Sequence, residues 1–278
     1  MKILISLFIC PLLLFSQSLI FVNDFGEFEN ASSFDIDLSG NYFIADLGTN
    51  TISKIDSTGK LLFNIGGFGW DASQFDEPID VVTNTLSLYV ADKNNNRIQR
   101  FDKDLNFLSE YSGTNPDNEI EFGYPTCIDI SGIGDLYLLD SDNNRILKFN
   151  LIGEYLQEIG GNDAGSFAIS NPKNFTVDEL SNLFILDDET IKVFDQYGNG
   201  KFYFKPDFAA DKINVDNGNL IYINTSQVNI FNINERKPIH KFENFPNLED
   251  EKIVDVIIKG KSLFLLTQNR IIKYLISK

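Results

Sequence analysis

The chain has 278 residues, 40 acidic against 23 basic side chains, a formal charge of −17 and 43% hydrophobic residues. That length supports one large all-β domain with a sizeable core. The charge excludes the basic surface that nucleic acid requires and disfavours anionic membranes, while it suits solubility and cationic or basic partners.

Residues 1–16 open on Met1-Lys2 and continue as an apolar run to Ser16. A basic start, a short apolar stretch and a small residue at the end read as a secretory signal peptide cut after Ser16. The run is too short for a membrane span. Cys10 sits mid-run, with bulky Phe8 and Ile9 before it and Pro11 after it, which argues against lipid attachment. The mature chain, 17–278, is therefore expected to be exported, periplasmic or extracellular, with no transmembrane span after cleavage. It keeps one cysteine, Cys127. No internal disulfide can form, and an oxidising compartment tolerates the thiol only if it is buried or functional.

From residue 34 onward the chain repeats itself. The first apolar residues of four copies, Phe34, Val81, Ile128 and Phe175, are spaced by 47 residues, and two degenerate copies follow at Ile213 and Val256. Each unit holds four short runs rich in Val, Ile, Leu, Phe and Tyr, separated by Asn, Asp, Gly and Ser. In the second unit these are Ile79–Thr83, Ser87–Ala91, Arg97–Phe101 and Phe107–Tyr111. No long stretch after the N-terminus has the apolar period of a helix. Six units of four strands and no helices predict a six-bladed β-propeller, whose closure removes the exposed end faces an open array would leave. The sixth unit stops after its third strand, Ile271–Ile276. The missing strand lies at the other end, where Leu19–Gly26 resembles the fourth strand Leu61–Gly69. It is predicted to complete the last blade and latch the ring.

The second unit, with Gly66-Gly-Phe-Gly69, Phe75-Asp-Glu-Pro78, Leu-Tyr-Val-Ala-Asp92 and Asn96-Arg-Ile-Gln-Arg-Phe101, resembles an NHL repeat. The third unit (Glu121-Phe-Gly-Tyr-Pro125, Asp140, Asn143–Phe149) and a shortened fourth (Phe167, Asn171-Pro172, Asp187) repeat the match. The resemblance implies a six-bladed propeller, a fold its family uses mainly for binding, although some members are enzymes. Some NHL propellers bind RNA through a basic face, which this acidic chain does not offer.

Asp46, Asp92, Asp140 and Asp187 each end the second strand of a unit. Repetition argues for a scaffold role, with the carboxylates accepting N–H bonds from the turn that follows. Arg97 and Arg145, after asparagines in the same loop, are expected to pair with them. Units five and six carry Asn224 and Thr267 at the aspartate position.

The column where the first strands approach the axis is less uniform. It reads Ser33, Asp80, Cys127, Asn174, Lys212 and Asp255, and two residues further Asp35, Val82, Asp129, Thr176, Asn214 and Ile257. A ring of unlike polar groups can hold Ca²⁺ or Mg²⁺, with Asp80 and Asp255 as the first candidates. It can equally line a water-filled channel, and this second reading is preferred; no other cofactor is expected. His240 is the only histidine and falls on an outer strand, so neither a three-histidine zinc site nor a hydrolytic triad can be assembled. This disfavours the metal-dependent activity of the NHL-type amidating lyases. Cys127 lacks a base. Trp70, with Phe68 and Phe75, lies in a loop between units, and Tyr124 in the next such loop; loops 113–121 and 160–170 occupy equivalent places. Trp70, Phe75 and Tyr124 are the candidates for a contact patch.

The expected function is thus non-catalytic: an exported binding or scaffold propeller for a protein or glycan partner. The alternative is a metal-dependent hydrolase or lactonase working in the channel.

Overall fold

The computed structural model describes residues 18–114 and 119–277. The predicted signal segment, Cys10 and the interior of the 113–121 loop lie outside them. The described residues form six four-stranded antiparallel sheets. The N-terminal strand is β1 (Ser18–Phe25). Blade 1 follows with β2 (Ala31–Ile36), β3 (Tyr42–Asp46), β4 (Thr51–Ile55) and β5 (Leu61–Gly66). Blade 2 has β6 (Pro78–Thr83), β7 (Ser87–Asp92), β8 (Arg97–Asp102) and β9 (Phe107–Ser112). Blade 3 has β10 (Pro125–Ile130), β11 (Leu136–Asp140), β12 (Arg145–Phe149) and β13 (Tyr155–Ile159). Blade 4 has β14 (Pro172–Val177), β15 (Leu183–Asp187), β16 (Thr190–Phe194) and β17 (Gly200–Phe204). Blade 5 has β18 (Lys212–Asp216), β19 (Asn219–Ile223), β20 (Val228–Asn232) and β21 (Lys237–Phe242). Blade 6 is β22 (Asp255–Lys259), β23 (Ser262–Leu266) and β24 (Ile271–Ser277), completed on its outer side by β1. The pairing runs from Ser18 opposite Ser277 to Phe25 opposite Ile271. The one departure from pure β structure among the described residues is a 3₁₀ segment, Asn162–Phe167, in the loop before blade 4.

The innermost strands β2, β6, β10, β14, β18 and β22 neighbour one another around a single axis. The second strand of each blade is buried almost throughout, whereas outer strands such as β5 are largely exposed. Middle strands lose the two-residue alternation because neighbouring blades cover both their faces.

One cross-strand pair recurs in the wedges between blades. An aromatic ring on the second strand faces a long cation on the third: Phe43 with Lys54, Tyr89 with Arg100, Tyr137 with Lys148 and Phe264 with Lys273. The cations stand 5.8, 5.6, 5.3 and 5.4 Å from the ring centres, within cation–π range. Blade 4 keeps the ring and loses the charge, as Phe184 opposite Val193. Blade 5 has neither, only Ile221 opposite Ile230.

Candidate functional site

All six residues of the predicted axial column, Ser33, Asp80, Cys127, Asn174, Lys212 and Asp255, line the central channel, a cavity of about 110 Å³. They come together because each lies within the first three residues of an inner strand, at equivalent repeat positions. Lys212 Nζ lies 2.6 Å from Asp255 Oδ2 and 3.9 Å from Asp80 Oδ1. Ser33 Oγ donates to Asp80 Oδ1 at 2.5 Å. The other oxygens of these carboxylates accept backbone N–H groups, Asp80 from Ile128 and Asp255 from Val256. Burial pulls the Lys212 ammonium down, but the Asp255 and Asp80 carboxylates outweigh it and hold it above its ordinary value. Burial pushes the Asp255 carboxyl up, against the opposing pull of Lys212. The protein's own ammonium therefore stands where a cation bound by Asp80 and Asp255 would sit.

On the far side of the ring, Asn174 Nδ2 donates to Cys127 Sγ at 3.2 Å, and the thiol points to Phe175 O at 3.4 Å. Burial raises the Cys127 thiol well above its ordinary value, so it is neutral near pH 7 and a poor nucleophile.

The lower tier works as blade-to-blade stitching. Asp35 accepts the N–H groups of Ile36 and, in blade 2, Thr83, both at 2.7 Å. Asp129 accepts those of Ile130 and, in blade 4, Val177, at 2.7 Å, and the Thr176 hydroxyl at 3.0 Å. Burial pushes these carboxyls up to about 6 and about 7, against the lowering effect of those hydrogen bonds. The sign of the linkage follows. Unfolded, the groups ionise near 3.8; folded, they hold their protons to higher pH, so unfolding releases protons and stability falls as pH rises from about 4 to about 7. The expected loss attributable to Asp129 is about 2 kcal/mol, half the full worth of a shift of that size. Urea midpoints taken across this window should decline, and Asp129→Asn should flatten the decline. An equal slope in that variant would contradict the assignment.

The repeat aspartates are clamps, and their geometry corrects the expectation that they serve the turn after them. Asp92 accepts the N–H of Asp76, Asp140 that of Gly123, and Asp187 those of Ser170 and Asn171. Each donor lies in the loop that precedes the blade. Only Asp46 adds a backbone N–H of its following turn, from Gly48, beside those from Glu29 and Asn30; Asp92 and Asp140 accept instead the side-chain amides of Asn95 and Asn143 there. The aspartate thus pins the incoming loop onto its own sheet. Arg97 Nε reaches Asp92 at 2.8 Å and Arg145 Nε reaches Asp140 at 2.9 Å. Arg97 continues outward to the carbonyls of Trp70, Asp71 and Gln74. In blade 4 Lys192 takes the place of arginine, 2.6 Å from Asp187.

Two asparagines that sequence reasoning passed over link successive blades. Asn50 Oδ1 accepts from Glu77 N and Asn96 Oδ1 from Tyr124 N. Both have positive φ, which asparagine tolerates. Their signal was an Asn at the same point of the second hairpin turn in adjacent units.

Arg97→Ala removes one partner of a buried pair and frees the Trp70 loop. The expected cost is about 2–4 kcal/mol, read as a lower urea midpoint. Trp70 is the only tryptophan, so a fall in its fluorescence anisotropy reports the loosened loop. An unchanged anisotropy would break the link between clamp and loop.

Of the predicted surface residues, Trp70 is 68% and Tyr124 44% exposed, with Phe68 edge-on to Trp70 at 5.7 Å and Lys93 over Tyr124. Phe75 is a correction: it is fully buried. The loop doubles back through a bridge between Phe68 and Phe75, which drives the Phe75 ring into the wedge between blades 1 and 2 beside Phe101.

The opposite rim carries an apolar ring that sequence reasoning missed. Leu38, Leu86, Ile133 and Leu180 project from the first hairpin turns of blades 1–4, each 68–87% exposed. The turns are self-sufficient: Asp37 and Asp178 each accept two N–H groups of their own turn. The tips therefore owe nothing to packing. Their signal was an apolar residue recurring inside a polar turn at nearly the unit spacing. No cluster of three or more His, Cys, Asp or Glu suited to a metal ion occurs among the described residues.

Residues 75–101 match the family model of the NHL repeat. No curated protein matches the sequence. Among solved structures, virginiamycin B lyase from Staphylococcus aureus superposes with a TM-score of 0.65 at 14% identity, covering 94% of this chain and 99% of that one. A catalytically inactive variant of that lyase with quinupristin gives 0.61 at 14% identity, over 94% and 99%. A streptogramin B lyase gives 0.63 at 13%, over 94% and 98%. Likeness at this identity carries the fold and not the chemistry. With an NHL repeat matched in blade 2 and six four-stranded blades closed about one channel, the chain is a six-bladed β-propeller that carries an NHL repeat.

Proposed function

We propose that this chain is an exported, non-catalytic binding propeller that docks a partner protein through its turn-side rim. The observation that carries this reading is the ring of Leu38, Leu86, Ile133 and Leu180, apolar side chains held in solvent by turns that do not need them. Clustered exposed apolar groups on a rigid scaffold mark interaction surfaces. The channel supports the same view, since its polar groups are largely committed to one another and to backbone N–H groups. The aromatic pair Phe68 and Trp70 on the other rim offers a second, smaller contact suited to a glycan or peptide. The apolar run before Ser16 and the net charge of −17 support an extracytoplasmic setting without nucleic acid.

The test is capture from an envelope extract with the mature protein, beside a Leu38→Asp/Leu86→Asp/Ile133→Asp variant and a Trp70→Ala variant. A partner retained by wild type and Trp70→Ala but lost with the triple variant supports the proposal. Equal capture by all three defeats it.

The channel hydrolase is the second reading, favoured by the raised carboxyls of Asp35 and Asp129. Calorimetric titration with Ca²⁺ decides it. Stoichiometric heat abolished by Asp129→Asn promotes it, and an absence of heat removes it.

A further inference from the structure

Between blades 5 and 6, opening beside the first hairpin turns, lies a cavity of about 310 Å³. Its walls are mostly isoleucines, Ile221, Ile230 and Ile239 from blade 5 and Ile258 and Ile276 from blade 6, with His240 of blade 5 beside them. The void has a sequence cause. Ile221 and Ile230 occupy the register at which blades 1, 2, 3 and 6 place an aromatic ring and a long cation. Both replacements are shorter, so the wedge that a ring and an aliphatic stem fill elsewhere stays open here. Protein interiors otherwise pack without such gaps. The volume is roughly twice the ~150 Å³ that admits a benzene ring in an engineered apolar cavity.

The mouth is polar and carries one charge of each sign, Asp216 and Lys261. Asp216 keeps its charge but makes no ion pair with Lys261; the Asn217 amide donates to both its oxygens at 2.9 Å. Lys261 borders the cavity and its ammonium makes no ion pair among the described residues. An apolar slot shaped for a missing ring, with one free cation at its edge, is complementary to a ring bearing a negative group.

We infer that the wedge between blades 5 and 6 is a binding site for a small aromatic carboxylate, its ring between the isoleucines and its carboxylate toward Lys261. The site opens on the turn-side rim at blades 5 and 6, away from the apolar tips of blades 1–4 and from the channel, and it does not depend on the function proposed above.

The experiment is titration of the mature protein with indole-3-acetate and with indole, followed by ligand-observed NMR and calorimetry. Saturable one-site binding of both is expected, the acid more tightly. Ile221→Phe/Ile230→Lys puts back the pair found in blades 1 and 6 and should abolish binding of both while the protein still unfolds cooperatively. Ile239→Trp, on the exposed outer strand, should block the mouth and gives the same readout should the double variant fold poorly. Lys261→Met should weaken the acid about two- to fivefold, the worth of an exposed ion pair, and leave indole unchanged. Absence of saturable binding, or binding undiminished in both filled variants, overturns the site. An acid affinity unmoved by Lys261→Met overturns the carboxylate assignment.

Discussion

A chain lacking residues 18–25 is expected to lose its cooperative unfolding transition. Strand β1 contributes the outer ladder of blade 6, and Leu19 and Phe21 pack against the core that contains Tyr274. Phe21 meets Tyr274 edge-on at 6.4 Å, and Phe25 meets Tyr42 of blade 1 at 4.8 Å. The strand thus grips two blades at once. Asp24 also pairs with Arg270. Half-burying these side chains is worth about 3–6 kcal/mol, a large part of the 5–15 kcal/mol typical of a whole domain. The deletion further exposes β24 as an unpaired edge, which invites aggregation. The decisive control moves the same eight residues to follow Ser277 through a short turn. Blades 1–5 already connect their third and fourth strands that way, so this rearranged chain should regain a sharp transition. A broad transition in both forms would mean that the strand's position in the chain, and not its pairing, matters.

Lys212→Met should destabilise the protein by about 3–5 kcal/mol near pH 7, because it leaves the buried carboxylates Asp80 and Asp255 facing each other without their cation. The pH dependence carries the signature. Without the ammonium, the Asp255 carboxyl, already raised by burial, rises further above its unfolded value. Stability from a raised acid is present at low pH and is lost as pH rises, so the variant should be closest to wild type near pH 4 and furthest from it at pH 8. Adding Asp255→Asn should recover part of the loss by removing one of the two unpaired charges. Urea denaturation at both pH values checks this. A deficit independent of pH would show that the lysine acts through packing alone.

Much of the architecture was legible because it is written as recurrence. The 47-residue spacing of Phe34, Val81, Ile128 and Phe175 set the blades, and the likeness of Leu19–Gly26 to Leu61–Gly69 gave the closure. Adding a residue or two at the strand ends, as in Pro78 and Asp102, is the scale of the discrepancy. The axial column was legible for a related reason: residues at equivalent repeat positions fall at equivalent heights. What the repeat could not convey is where a loop turns back. Phe75 was read as surface because it lies between strands, yet the Phe68–Phe75 bridge folds it inward. The partners of Asp92 and Asp140 were misplaced for the same reason, since a carboxylate's donors depend on which loop lies over it. The apolar turn tips were overlooked because a leucine within a polar turn reads as scatter until four of them share one rim. The wedge between blades 5 and 6 needed registered strand pairs, which show Ile221 standing where Phe43 and Tyr89 stand elsewhere.

The pairing of Ser18 with Ser277 joins the earliest and latest described residues of the chain. During synthesis the first five blades can assemble as they emerge, each from local hairpins, but the sixth has no complete sheet until β24 has been made. Contacts of such sequence separation form slowly, so the nascent ring stays an open crescent until β24 can meet β1.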